Sequence, residues 1–311
     1  MNQAMTEGVD GMSNNETMAM RAAAIFCRAL PLKSGIGTMS QSISRRVKGL
    51  RSSTELPCDL RNGVRIHARL DDYNGRMLYL FGTPDPKVIS ICGGLLRPGD
   101  VFLDIGANYG SVGLLVNASV LPGGRVHMVE PQPELGDRIE DAITSNALGH
   151  ITLHRCGLWD EDGEFYITGS RSHTGTASIS TEARSDGSQR VEVRNIDGFL
   201  RDAAGGSSFG VKLDVEGAEV RILPSILSHP DLRFVIFESH DHDVKAFVKR
   251  MMEERSHVFF GVSKSLFRTR LFRILNDSDL NHAHDVLAIR AHEGISPPRA
   301  LGVRELRRLL R

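Results

Sequence analysis

Val101-Phe-Leu-Asp-Ile-Gly-Ala-Asn-Tyr-Gly110 is an apolar run carrying one acid, broken by a short glycine loop. A second apolar run, Val112 to Val120, begins at once. That order reads as a buried parallel strand, a tight turn and a helix. Gly106 and Gly110 can take φ > 0 or admit a ligand close to the backbone, where a Cβ would obstruct it. The helix that follows offers free N–H groups to whatever lies over the loop. Strand-to-helix corners also need glycine for packing alone, so this loop does not by itself establish a ligand site.

The next segment adds a second element. Leu121-Pro-Gly-Gly124 punctuates the chain, and Val126-His-Met-Val-Glu-Pro131 follows as a short strand ending in an acid. In nucleoside-binding α/β folds an acid at the end of the second strand accepts hydrogen bonds from the ribose hydroxyls. Strand, glycine loop, helix, strand and acid therefore point to a nucleoside site containing Glu130. The loop is G-x-x-x-G and lacks the third glycine of the dinucleotide fingerprint. That favours a cofactor without a pyrophosphate, such as S-adenosylmethionine, over NAD.

The whole chain sets the bounds. Its 311 residues hold one large domain, or one domain with a small accessory segment. Lysine plus arginine balance aspartate plus glutamate at 38 each, so no global charge points to nucleic acid. Cys27, Cys58, Cys92 and Cys156 are far apart, which indicates neither a disulfide framework nor a zinc site. A reducing, cytoplasmic setting is expected. No apolar run approaches the ~20 residues of a membrane-spanning helix. Ala22 to Leu30 carries Arg28 in its middle and reads as a short amphipathic helix.

Residues 1–55 read as a flexible or helical extension, with a helix over Met18–Leu32 and a basic, Ser-rich linker from Lys33 to Thr54. Residues 56–100 read as a β-hairpin turning at Leu60-Arg-Asn-Gly63, then a helix opened by Pro84 and Pro86. This segment is expected to form a lid or substrate-side wall. Residues 101–292 form the main domain, and 293–311 a basic tail. Within the main domain, Glu164–Thr168 and Val191–Ile196 bracket a Ser/Thr/Gly-rich stretch that suggests an inserted hairpin with substrate contacts at its tip, where His173 lies. Trp159 belongs either to the core or beside an adenine.

Phe209-Gly-Val-Lys-Leu-Asp-Val-Glu-Gly-Ala-Glu219 is the second chemically dense stretch. Lys212 and Asp214 are two apart and share one face of a strand. A lysine in a buried strand needs a partner, which Asp214, Glu216 or Glu238 could supply; a buried ion pair closing the strand end is the purely structural reading. Phe234-Val-Ile-Phe-Glu-Ser-His-Asp-His-Asp243 is another strand with a polar end. Asp104, Glu130, Asp214 and Glu238 all fall near strand C-termini, where open α/β sheets bind ligands. The acids and histidines from 238 to 243 fit no defined metal-binding spacing, and a helix cap explains Asp241 or Asp243 equally well.

Asp104-Ile-Gly-Ala-Asn-Tyr-Gly110, Glu130-Pro131 and Lys212-Leu-Asp-Val-Glu-Gly-Ala-Glu219, in this order and spacing, resemble the FkbM family of S-adenosylmethionine-dependent methyltransferases. The resemblance runs from about Leu56 to Arg290. It implies an α/β, Rossmann-like, doubly wound sheet of seven strands, mostly parallel with the last antiparallel. It also implies methyl transfer to a hydroxyl of a sugar, glycolipid or polyketide-like acceptor, with no nucleic-acid partner. By position, Gly106, Ala107, Asn108 and Gly110 would line the methionine part of the cofactor, Asp104 would orient the loop, and Glu130 with Pro131 would hold the ribose. Gly157 and Leu158 would lie near the adenine. A sugar hydroxyl is a weak acid, so a base or a metal should help remove its proton. Asp214 and Glu216 are the candidates to orient the acceptor, with Glu238 or His240 as the base. A nucleotide-dependent oxidoreductase or epimerase, and a non-catalytic cofactor-binding module, are the alternatives on the same sheet.

Overall fold

Continuous apolar runs become inner strands of one sheet, as burial on both faces requires. The structure, a computed structural model, describes residues 14–170, 173–180, 188–215, 217–263, 265–291 and 298–310. In chain order its strands are β1 (Glu55–Asp59), β2 (Arg65–Arg69), β3 (Val101–Ile105), β4 (Arg125–Val129) and β5 (Ile151–His154). There follow β6 (Gly157–Trp159), β7 (Gly163–Ser170), β8 (His173–Ser180), β9 (Gln189–Asn195) and β10 (Phe209–Leu213). The last are β11 (Leu232–Glu238), β12 (His257–Val262), β13 (Arg270–Arg273), β14 (Asp285–Arg290) and β15 (Ala300–Gly302).

The main sheet runs β15-β13-β12-β14-β11-β10-β3-β4-β5. From β11 to β5 neighbouring strands are parallel, whereas β14 is antiparallel to both β11 and β12. The stretch from β12 to β5 is the expected doubly wound sheet with its reversed strand. β13 and β15 extend it antiparallel at the β12 edge, so the full sheet has 9 strands. β15 follows the strand expected to be the last. It is only three residues long, too short for a periodic signal.

Every residue of β3 and β10 is buried, which is why their sequences do not alternate. Phe102 and Ile236 face one core, and Leu103, Val211 and Phe237 the other. Residues 303–309 form a helix on the first face; Gly94 admits Val303 there, because a Cβ at 94 would meet Val303 Cγ1 at 2.4 Å. The basic tail is thus a packed helix over these residues.

One expectation for the N-terminal half needs correction. Lys33–Thr54 is not a solvated linker: Ile36–Ser44 is a helix, and Ile36, Ser40, Ser44 and Leu50 are buried. Ile36, Met39, Ile43, Val47 and Leu50 supply an apolar stripe at helical spacing and join a third core with Met20, Cys27 and Phe81. The small serines between them let the helix pack closely. Met77–Phe81 belongs to a helix, Tyr73–Phe81, capped by Asp72, whose side chain accepts from Gly75 N. The hairpin β1–β2 forms as expected, and Pro86–Leu95 is a helix with Asp85 as its cap. The inserted segment is larger than a hairpin: β7 pairs with β8 and β9 antiparallel, and β9 pairs with β6 parallel. Residues 181–187 of its tip lie outside the described residues, as does the His173 side chain. Among the described residues no helix is long and apolar enough to cross a membrane.

The parallel strands are registered at their N-terminal ends by a charge pair. Both Asp100 oxygens accept from the Arg233 guanidinium at 2.9 Å, and Oδ2 also accepts from Arg97 N. Asp100 is nearly buried, so its removal strands a shielded cation. Asp100→Ala is expected to cost about 3 kcal/mol of stability, read as a lowered denaturant midpoint with an unchanged slope. An unchanged midpoint would show that the pair contributes nothing.

Candidate active site

The chain leaves β3 through Gly106, whose φ is +74°. A Cβ there would lie 1.8 Å from the carbonyl oxygen of Asp214. Only glycine allows this approach, and the approach joins the loop to the end of β10. Asn108 follows in the left-handed region at φ 54°, a conformation asparagine tolerates because its side chain can bond locally. Its Oδ1 accepts from Tyr109 N at 3.0 Å.

The loop's donors are all used within the protein. Gly106 N and Ala107 N donate to Val129 O, Asn108 N to Glu130 Oε2, and Gly110 N to Ala107 O. Gly113 N, in the helix Ser111–Val116, donates to Asp104 Oδ2 at 2.8 Å. The N–H groups from Gly106 to Gly110, and Gly113 N in the helix, are therefore taken by two carboxylates, the Asn108 side chain and backbone. This turn is not an anion cradle, and a phosphate would find no donors in it.

Lys212 lies beneath the loop. Its Nζ donates to Gly106 O at 2.6 Å and sits 3.4 Å from Asp104 Oδ1 and 3.2 Å from Asp214 Oδ2. Burial alone would lower the lysine's pKa, but Asp214 and Asp104 more than reverse this and hold it above its usual value. Asp104 is fully buried, and burial raises its pKa despite Lys212 and the Gly113 N–H. The structural ion-pair reading of Lys212 and its role in shaping the loop are the same arrangement.

Glu130 closes β4. Its Oε1 accepts from Gln132 N at 2.9 Å, and burial raises its pKa to about 7 against the pull of the Gln132 and Asn108 N–H groups. A cavity open to solvent lies against it. Gly106, Asn108, Glu130, Pro131, Gly157 and Leu158 line it, together with Asp214. Above it Thr174 joins three segments. Its N–H donates to Asp72 Oδ1 at 2.9 Å, its Oγ1 lies 3.1 Å from Asn108 Nδ2, and its O accepts from Gln132 Nε2.

A second, larger cavity adjoins the first and shares Asn74, Asn108 and Asp214 with it. Ala107 faces this one. So do Glu238, Asp85, Lys87 and Asp285, and the stretch Lys33–Gly37 from the N-terminal extension. Lys87 Nζ is 3.7 Å from Asp285 Oδ2. Burial raises the pKa of Asp85, and burial together with Asp85 raises that of Asp285 to about 6.

The expected site residues thus divide. Asp214 lines both cavities with its side chain half exposed. Glu238 lines the second, and His240 Nε2 lies 3.7 Å from Glu238 Oε2 but lines neither. Asp104 and Gly110 lie beneath the loop rather than in a cavity wall. Glu216 lies outside the described residues. Trp159 packs edge-on to Phe165 with Arg221 over its ring and lines neither cavity. Sequence reasoning missed Asn74, Thr174 and Asp285; of these only Asp285, an acid opening an apolar run, carried a local signal. Among the described residues no group of three or more His, Cys, Asp or Glu is placed to hold a metal ion.

A family model described as the methyltransferase FkbM domain matches residues 104–260. No curated protein matches the chain. Similar solved structures include the precorrin-6y C5,15-methyltransferase of Geobacter metallireducens, 12% identical with a TM-score of 0.37, over 66% of this chain and 87% of that one. A SAM-dependent O-methyltransferase of Thermotoga maritima is 13% identical, with a TM-score of 0.38 over 68% of each chain. The fibrillarin of Aeropyrum pernix, solved with natively bound S-adenosyl-L-methionine, is 12% identical, with a TM-score of 0.35 over 65% of this chain and 72% of that one. At these values the structural likenesses carry no weight for the site.

A carboxyl raised to about 7 in the folded protein binds a proton that the unfolded chain has released above about pH 4.5. The folded state therefore loses stability as pH rises from about 4.5 to 7, by about 2–3 kcal/mol from this group. Glu130→Gln is expected to remove that slope. Denaturation of both proteins at pH 5 and pH 7.5 checks this, and parallel pH dependences would refute it.

Proposed function

The chain belongs to the methyltransferase FkbM domain family, and we propose that it transfers the methyl group of S-adenosylmethionine to a hydroxyl of a sugar, glycolipid or polyketide-like acceptor. The observation that carries this reading is the pair of adjoining cavities with Asn74, Asn108 and Asp214 in the wall of both. A two-substrate transfer needs such a junction, because donor and acceptor atoms must meet in line at about 3 Å with water excluded.

The first cavity fits the cofactor by its chemistry. Glu130 offers a buried carboxylate to a pair of ribose hydroxyls, Gly157 and Leu158 give an apolar wall for a base, and a loop without free N–H groups suits a ligand without phosphates. Gly106 and Asn108 would flank the methionine end, with Pro131 beside the ribose. Asp104 and Gly110 act through the loop, by fixing its shape. S-Adenosylmethionine supplies a methyl carbon already activated by its sulfonium.

The chain's remaining work falls on the acceptor. Asp214, half exposed at the junction, accepts a hydrogen bond from the acceptor hydroxyl and orients its oxygen; Glu216 shares that role by sequence. Glu238, with His240 beside it, takes the proton. The domain reading follows the same division, with residues 101–292 as the catalytic unit, 56–100 as the acceptor-side wall and 1–55 adding to that wall through Lys33–Gly37.

Calorimetric titration with S-adenosylhomocysteine tests the cofactor half. Glu130→Ala is expected to weaken binding by about 100-fold, the worth of hydrogen bonds to a charged acceptor; equal affinity would remove Glu130 from the ribose site. For the acceptor half, Asp214→Asn should lower kcat with hydroxylated acceptors about 10²-fold. Full turnover in that variant would remove Asp214 from the mechanism.

A further inference from the structure

The formal net charge of this chain is zero, yet its cations are unevenly placed. The segment leading into β13, and the helix Val303–Leu309, bring Arg268, Arg270, Arg304 and Arg308 to the wall of a third cavity, with Lys33 from the N-terminal extension. Glu305 is the acid in that wall, and its Oε2 is used to accept from Gly302 N at 2.6 Å. Neighbouring arginines have partners: Arg299 lies 3.2 Å from Asp279, and Arg307 donates to Leu96 O. The four arginines of the cavity make no ion pair among the described residues. Thr269 Oγ1, also in the wall, is buried and has no hydrogen-bond partner among the described residues.

Five cations gathered with a single carboxylate, Glu305, repel one another, and a bound anion relieves the repulsion. The donor set selects the anion. Guanidinium forks match the geometry of phosphate oxygens bidentately, and several of them with an ammonium exceed what one carboxylate can satisfy. Lys33 also lines the second cavity, so the basic cavity and the acceptor cavity share a wall residue. We propose that this basic cavity binds a phosphate or diphosphate group carried by the methyl acceptor. The acceptor is then a phosphorylated or diphosphate-linked hydroxylic molecule, with its reacting hydroxyl beside Asp214 and its anionic end among Arg268, Arg270, Arg304 and Arg308. The second half of this statement rests on the reading of the second cavity as the acceptor site.

The test is titration of the full chain with inorganic pyrophosphate at low salt, with S-adenosylhomocysteine titrated in parallel. Saturable pyrophosphate binding is expected. It should weaken at least tenfold in Arg304→Glu/Arg308→Glu, with S-adenosylhomocysteine affinity unchanged as the control for folding. Wild-type turnover of a phosphorylated sugar should exceed that of the free sugar, and the double variant should erase the difference by raising KM. Absent pyrophosphate binding, or binding equal in the variant, overturns the proposal. Association with phosphatidylglycerol vesicles without pyrophosphate binding also overturns it, in favour of a lipid-facing surface. Loss of S-adenosylhomocysteine binding in the wild type, with pyrophosphate binding intact, would instead defeat the methyltransferase site and detach the anion from the acceptor.

Discussion

Lys212 is buried between two carboxylates, and its ammonium group fixes the geometry on which both cavities depend. It reaches from β10 to the carbonyl of Gly106, in the turn after β3, while Asp104 on β3 and Asp214 after β10 supply its charge. An ammonium at this depth without them would be too costly to hold. Asp104 is also bound to Gly113 N, so one network ties strand, turn, helix and the neighbouring strand. Gly106 then has to be glycine, because the turn is drawn against the Asp214 carbonyl.

That constraint explains what the site offers a ligand. The turn spends its N–H groups on Val129, Glu130 and its own carbonyls, so recognition falls to carboxylates and apolar walls rather than to a bed of amide donors. Hydroxyls and a cationic sulfur suit such walls, whereas a pyrophosphate does not. The inserted strands and the Asp72 cap meet over the turn through Thr174. The first cavity is in this way closed by segments that lie far apart in the chain.

The inner sheet was legible because its strands are buried on both faces and so read as unbroken apolar runs, each followed by glycine or an acid. Glu130 and Asp214 stood at the ends of such runs, and the resemblance of the three quoted motifs pointed to the same positions. Asp104 was legible as important but not as buried beneath the turn, since an acid within a strand looks the same whether it faces ligand or lysine. Lys33–Thr54 reads as a linker because Ser40 and Ser44 pack as small core residues where serine usually marks a loop. Asn74 and Thr174 carry no local signal; their roles come from tertiary contacts between a lid helix and an insertion. β15 was hidden for a related reason, as three residues acquire their order only from β13 beside them.

The central claim is that Asp214 and Asn108 stand where a donor cavity opens into an acceptor cavity. A crystal structure of the complex with S-adenosylhomocysteine tests it most directly. The ribose should lie on Glu130, the adenine against Gly157 and Leu158, and the sulfur should face the opening between the two cavities beside Asp214. A ligand seated in the larger cavity, or one whose sulfur points away from that opening, would contradict the account.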